Sequence, residues 1–215
     1  MLAINTAFMT ANLALETPDG RTIYRELDAH SKHSENVLKT IDEMCQEGGI
    51  DVLNVETVAV VVGPGSFTGL RIGTAIAKAL GCVNKKLKFI GLSSLELMAN
   101  IVSENKLCSE NFVCVLNALS DLYFVAYFDK TGIILQEERM IDKQEYLGIK
   151  QPIFGLKGDL QDDRINQIEI TSEDLLAFAK KQEKLGKFVA LDELLPVYLR
   201  LSQAEDNLLK KSKKD

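Results

Sequence analysis

Few side chains in this sequence combine the type and the spacing that chemistry requires. His30 and His33 are the two histidines, in His30-Ser31-Lys32-His33. A pair at i, i+3 with no third histidine makes a poor metal centre, whereas metallopeptidase signatures place two histidines at i, i+4 with a glutamate between them. No metal is expected. The four cysteines, Cys45, Cys82, Cys108 and Cys114, form no C-x-x-C pair and are too sparse for a disulfide framework. They are expected in the core of a reduced, intracellular protein. No G-x-S-x-G elbow is present, because Ser66 lies in Gly65-Ser66-Phe67-Thr68. Asp121, Asp159, Asp162 and Asp163 read as carboxylates of solvated turns. No catalytic residue is assigned from these.

The most informative stretch is Gly63-Pro64-Gly65-Ser66-Phe67-Thr68-Gly69-Leu70-Arg71-Ile72-Gly73, between a valine-rich strand and a helix, where phosphate-binding loops occur. It fits neither standard template. No Lys-Ser or Lys-Thr follows a glycine, as a P-loop needs, and the spacing is G-x-G-x-x-x-G rather than G-x-G-x-x-G. The next strand ends Phe89-Ile90-Gly91-Leu92, without the acid that would hold a ribose. A structural tight turn is the expectation, with an anion beside Arg71 as the lesser reading and no cofactor.

The helix after this loop, about Gly69–Val83, carries a bulky arc of Ile72, Ile76, Leu80 and Val83. Beside it runs a row of small residues at four-residue spacing, Gly69, Gly73, Ala77 and Gly81. Each glycine costs a helix about 1 kcal/mol relative to alanine, so the row needs a packing reason. Two are available: close approach to the chain's own sheet, or close approach of a partner. The apolar circumference favours the partner, with Arg71 and Lys78 as a narrow charged edge.

The elements that must position this loop read β-β-β-α-β-α-β-α over the first hundred residues. Met1–Phe8, Ala11–Glu16 and Arg21–Leu27 are strand candidates, and Thr17-Pro18-Asp19-Gly20 marks a turn. A helix capped by Ser34 carries Val37, Leu38, Ile41, Met44 and Cys45 on one arc and stops at Gly48-Gly49. Val55–Val62 reads as a strand buried on both faces, Lys88–Leu92 as the next strand, and Ser93-Ser94-Leu95-Glu96 as a helix start with a capping box. A polar stretch near Glu104–Glu110 sets a boundary. Strands Phe112–Asn117, Tyr123–Phe128 and Ile133–Ile141 follow, then an interruption and a helix Ser172–Lys184 capped by Ser172. The second half thus loosely echoes the first.

The 215 residues are 46% hydrophobic and 26% charged, as in an ordinary globular protein, and no apolar run approaches the roughly 18 residues of a membrane span. Of the net charge of −6, Lys210, Lys211, Lys213 and Lys214 against Asp215 put +3 on the end of the chain. An acidic body is a poor stand-alone binder of nucleic acid, which needs clustered Lys and Arg.

The glycine string resembles the TsaB (YeaZ) family of bacterial proteins of tRNA threonylcarbamoyladenosine synthesis. Ile4-Asn5-Thr6, His33-Ser34-Glu35, Gly91-Leu92-Ser93-Ser94-Leu95-Glu96 and the closing Pro196-Val197-Tyr198-Leu199-Arg200 support the resemblance in order. It is strong over about residues 1–100 and again at 196–200. It implies an α/β, actin-like/Hsp70-like ATPase (ASKHA) fold of two RNase H-like lobes: residues 1–104, a reduced lobe over 105–202, and a polar, basic tail over 203–215. It also implies a cytoplasmic, non-catalytic subunit. Such a subunit stabilises and activates the catalytic paralogue TsaD, which modifies N6 of adenosine 37 in tRNAs reading ANN codons. A TsaE-like ATPase joins, tRNA is met mainly through the complex, and family members often self-associate when alone.

Family contacts to the paralogue run through the first two helices, here around Val37, Leu38 and Ile41 and around Gly69, Ile72, Gly73, Ile76, Ala77 and Leu80. Two departures matter. The family's Asp-Thr-Ser is Asn5-Thr6-Ala7, and its Asp-Ala-Arg is Asn117-Ala118-Leu119. Losing an acid from both lobes removes the carboxylates that a magnesium–nucleotide site needs. The alternative function, an ATP-dependent phosphotransferase or ATPase of the actin-like superfamily, is weakened accordingly. A metal-dependent peptidase is hard to build from two histidines at i, i+3.

Overall fold

The computed structural model describes residues 1–28 and 34–199, with Ser34 described by its backbone alone. The expectations for His30, His33, the Ser34 cap, Arg200 and the tail lie outside the described residues.

Valines set the first sheet. In β4 (Thr57–Gly63), Val58 and Val60 point to one face and Ala59 and Val61 to the other, and all four are buried. A strand apolar at both parities needs cover on both faces. β1 (Leu2–Asn5) has the same character and pairs in parallel with β4. The first sheet runs β3-β2-β1-β4-β5, with β2 (Ala11–Glu16) and β3 (Thr22–Leu27) forming an antiparallel meander on β1, and β5 (Lys88–Ser93) parallel to β4. The second sheet, β10-β9-β6-β7-β8, repeats this order strand for strand. β6 (Phe112–Asn117), β7 (Leu122–Phe128) and β8 (Ile134–Asp142) are its antiparallel meander. β9 (Ile153–Leu156) and β10 (Ile165–Ile168) add in parallel beyond β6. The expected pair of RNase H-like lobes is present, with its actin-like duplication.

The second lobe is reduced in its helices, while its five strands remain. The first lobe carries α1 (Ser34–Gly48), α2 (Phe67–Val83) and α3 (Ser94–Glu104). In the second, α4 (Lys143–Leu147) has five residues where α1 has fifteen, and no helix connects β9 to β10. The closing helix α5 (Ser172–Lys184) is kept.

α3 and α5 lie between the two sheets. α5, last in the second lobe, packs on β1, β2 and β3 of the first, and its Ser172 Oγ donates to the Arg25 carbonyl across 2.8 Å. One apolar core therefore joins both lobes: Ala59, Val61 and Ile90 meet Leu95, Met98 and Leu176, which meet Phe112 and Phe128. Each fully buried leucine or phenylalanine here stabilises the fold by about 1.5–3 kcal/mol relative to exposure. A second core fills the space between the first sheet and α1 and α2.

Three local expectations are corrected. α5 is capped by Thr171, not Ser172: Thr171 Oγ1 accepts from the Asp174 N–H and the Asp174 carboxylate accepts from the Thr171 N–H. Ser172 is instead spent on the Arg25 carbonyl. Cys45 and Cys114 are in the core, but Cys82 is exposed and Cys108 is half-buried. The interruption after β8 contains β9 and β10, whose four-residue strands carry no period long enough to read.

Beyond α5 a strap returns to the first lobe. Val189 bridges Phe89 at the free edge of β5, Leu194 is buried, and the Val197 N–H donates to the Val62 carbonyl at 2.7 Å.

Candidate partner face and the crevice between the lobes

In an open α/β sheet, ligands bind beyond the carboxyl ends of the parallel strands. Here those ends carry Asn5, Gly63 and Asn117, and the glycine loop begins at the second of them.

Gly63 has φ +139° and is followed by a cis peptide to Pro64. The loop then docks on the end of β1: the Ser66 N–H donates to the Ala7 carbonyl at 2.8 Å, and Thr6 Oγ1 donates to the Gly69 carbonyl at 2.6 Å. Ser66 caps α2 by accepting from the Gly69 N–H at 3.3 Å. A Cβ on Gly69 would lie 1.9 Å from the Thr6 carbonyl oxygen, and one on Gly65 2.9 Å from the Ala7 Cβ. Gly63, Pro64, Gly65, Ser66 and Gly69 therefore form a close-contact turn that seats α2 on β1. Phe67, Thr68 and Arg71 stay exposed on its outer side.

The crevice residues do not fit a magnesium–nucleotide. Asn5 is fully buried, its Oδ1 accepting from the Ala7 N–H at 3.0 Å and its Nδ2 donating to Asn12 Oδ1 at 2.9 Å. Asn12 in turn donates to the Ile170 carbonyl. An amide with both ends engaged in the fold offers nothing to a cation. Across the crevice, Asn117 receives a carboxylate from an unexpected direction. Its N–H donates to Asp159 Oδ2 at 2.8 Å and its Nδ2 to the Asp159 carbonyl at 3.2 Å. Burial raises the Asp159 pKa, with the Asn117 N–H opposing it. Asp159 is thus a structural clasp rather than a solvated turn residue. Asp162 too is engaged: Arg164 and Tyr146 hold its carboxyl well below the usual range. The strap lies against the loop, since the Val197 carbonyl would lie 2.7 Å from a Cβ on Gly63.

Asn117 Oδ1 also accepts from the Leu119 N–H, and Leu119, Ser120 and Asp121 all take positive φ, from 57° to 64°. Leu119 is 66% exposed at this left-handed tip.

α2 presents two rows of small residues, one inward and one outward. Gly69, Gly73, Ala77 and Gly81 are buried on the chain's own sheet and strap: Gly73 faces Thr6 and Val60, and Gly81 faces Phe89 and Leu191. This corrects the reading of that row as the surface a partner approaches. β1 and β4 already occupy it. Val37, Ile41 and Ile76 are likewise core residues, and Ile72 and Leu80 are half-buried at the edge of the same cluster. Of the expected contact set, Leu38 is open, 47% exposed on α1. The outward face of α2 instead holds Arg71, Ala75 and Ala79 at four-residue spacing, ending at Cys82 and Val83, the last 68% exposed. Alanine is unremarkable in a helix, so Ala75 and Ala79 singly carry no signal in the sequence. Their i, i+4 repeat beside Arg71 was the available signal.

Among the described residues no cluster of three His, Cys, Asp or Glu side chains could hold a metal ion, and no helix is long and apolar enough to cross a membrane.

Residues 27–190 match the family model described as TsaD: tRNA N6-adenosine threonylcarbamoyltransferase. The tRNA threonylcarbamoyladenosine biosynthesis protein TsaB of Escherichia coli (strain K12) is 26% identical, covering 93% of this chain and 94% of that protein. Its counterpart in Haemophilus influenzae is 34% identical over 58% of this chain and 52% of its own length. The chain belongs to the TsaB (YeaZ) family, within the reach of that wider model. The structure of YeaZ from Pseudomonas aeruginosa superposes with a TM-score of 0.73 at 20% identity, covering 91% of this chain and 98% of that one. A second P. aeruginosa structure, described as similar to peptidase YEAZ, gives 0.76 at 21% identity, covering 93% and 98%. These likenesses place the two-lobed fold of this TsaB-family chain. The TsaB relatives carry the name of a biosynthesis protein rather than a transferase.

Proposed function

We propose that this chain serves the formation of N6-threonylcarbamoyladenosine in tRNA, as a subunit that binds and activates a TsaD-family transferase without catalysing the reaction itself. The observation that carries the reading is the outward face of α2. Ala75, Ala79 and Val83 leave a strip of small and apolar side chains there, edged by Arg71 and the half-buried Lys78, with Leu38 exposed on the adjoining α1. A strip of small side chains lets a second helix approach closely, and a monomer gains nothing by exposing it. The amides at Asn5 and Asn117 support the non-catalytic part, since they replace the acids that a magnesium–nucleotide would need. The phosphotransferase alternative finds no support in the crevice.

On this reading the protein works in the cytoplasm, where its tRNA substrate is. tRNA and a TsaE-like ATPase are met through the complex, and the α2 face mediates self-association when the transferase is absent. The deciding experiment reconstitutes the modification from purified transferase, threonylcarbamoyl-adenylate and tRNA, with and without this chain. Native mass spectrometry of the mixture gives the stoichiometry. Stimulation accompanied by a stable complex supports the reading. A transferase indifferent to this chain, or magnesium-dependent ATP turnover by this chain alone, overturns it.

A further inference from the structure

The closing motif and the glycine loop meet at one place on the surface. The Arg71 guanidinium lies over the Phe67 ring, 3.9 Å from its centroid, and its Nε–H donates to Tyr198 Oη at 3.0 Å. The two rings lie 5.0 Å apart, and Phe67 and Tyr198 are 42% and 44% exposed. Tyr198 arrives on the strap, which is pinned at Val197 to β4 and at Leu194 to the core. The arginine is therefore held in one orientation by a segment 127 residues away in sequence. Its two terminal nitrogens have no acceptor among the described residues, and it joins no ion pair there.

We propose that Arg71, oriented by Phe67 and Tyr198, receives a carboxylate of the protein that docks along α2. This rests on the α2 face being the partner surface and adds the polar contact that fixes its register. Arg71, Ala75 and Ala79 lie on one helical row, so a partner helix along the alanines ends at the guanidinium. An aromatic–arginine cluster with its side-chain entropy already spent has the character of an interface hot spot. The charge is complementary to an acid, and it stands out on a chain of net charge −6. That same charge disfavours an RNA phosphate, which draws on clustered cations: α2 adds only the half-buried Lys78 two turns on, and Leu195 and Val197, exposed on the strap next to Tyr198, are apolar. Tyr198 is a positioning residue, acting through Arg71.

The test is calorimetric titration of the intact chain against the purified TsaD-family transferase at low and high salt. Arg71→Gln is expected to raise Kd about tenfold or more at low salt and to remove most of the salt dependence, because the ion pair that salt screens is gone. Arg71→Lys retains part of both effects, losing the planar fork. Tyr198→Ala behaves like a weaker Arg71→Gln, and Tyr198→Phe, which keeps the ring beside Phe67, lies between it and the parent. Thermal melting of each variant reports the fold separately. If Ala79→Glu abolishes binding while Arg71→Gln keeps the parent Kd and salt dependence, this inference is overturned and the partner face stands. If Ala75→Glu, Ala79→Glu and Arg71→Gln all bind like the parent, the partner face itself is wrong. If Arg71→Gln leaves the transferase Kd unchanged but reduces crosslinking to tRNA, the group met is a phosphate and the proposal fails.

Discussion

Asn5 and Asn12 hold each other across β1 and β2, Asn5 Nδ2 donating to Asn12 Oδ1 at 2.9 Å, both side chains buried. Where the family resemblance implies an acid, this amide pair ties the strand end to the lobe junction through the Ile170 carbonyl, and Asn5 serves the fold.

Restoring the acid should therefore damage the fold without creating an enzyme. Asn5→Asp loses the donor to Asn12 and buries a carboxylate beside an amide oxygen. A broken buried hydrogen bond costs about 1–3 kcal/mol. Burial raises the folded pKa of the new carboxyl above the roughly 3.9 of a free aspartate, so the loss deepens as pH rises from acid toward neutral. Denaturant midpoints at pH 4 and pH 8 measure this. A variant as stable as the parent at pH 8 would show that Asn5 is not tied in as described.

The two small-residue rows of α2 should separate stability from binding. Ala79→Glu, on the outward row, is expected to leave the melting temperature within about a degree of the parent, since exposed surface substitutions usually change stability by less than about 0.5 kcal/mol. It should also abolish co-purification with the transferase. Size exclusion of the mixed proteins reads out the second effect.

The inward row should behave in the opposite way. A methyl on Gly69 would sit 1.9 Å from the Thr6 carbonyl oxygen, a contact that only backbone movement can relieve. Overpacking of this kind costs roughly 1–3 kcal/mol or more. Gly69→Ala should lower the melting temperature by several degrees, and any loss of binding should follow the loss of fold. An unchanged melting temperature would contradict the seating of α2 on β1.

Glu138 gives the protein a pH dependence of its own. Burial lifts its pKa from the ordinary 4.5 to about 7; the hydrogen bond from Ser93 opposes this, and Glu96 and Glu137 add to it. The folded state keeps the proton through that window while the unfolded chain releases it. The stability from this group is therefore complete below about pH 4.5 and lost as pH climbs through 7. Glu138→Gln should flatten the window and be more stable than the parent at pH 8, by about 1–3 kcal/mol. Equal slopes of stability against pH in the two proteins would sink this assignment.

Much of the first lobe was legible from local signals. The apolar patterns of β1 and β2 and the valine run of β4 located these strands, and Gly48-Gly49 marked the end of α1. The resemblance carried by the glycine string led to the fold. The second lobe was harder, because β9 and β10 have four residues each and exist through parallel pairing, β9 with β6, a partner some forty residues away, and β10 with β9. Asp159 looked like any turn acid until the fold carried it to the Asn117 backbone.

α2 shows where the division falls. Its sequence determined the helix, its cap at Ser66 and the two rows of small residues, since these depend on side chains three and four positions apart. Which row turns inward depended on what lies opposite. The Thr6 carbonyl tolerates only a glycine beside it, so the Gly69 row met the sheet and the Ala75–Ala79 row was left outside. The same holds for Arg71 and Tyr198, whose meeting depends on how the whole second lobe returns the chain to the first. Helical periodicity is a property of neighbours in sequence. The choice of face belongs to contacts between distant segments, and those exist only once the chain has folded.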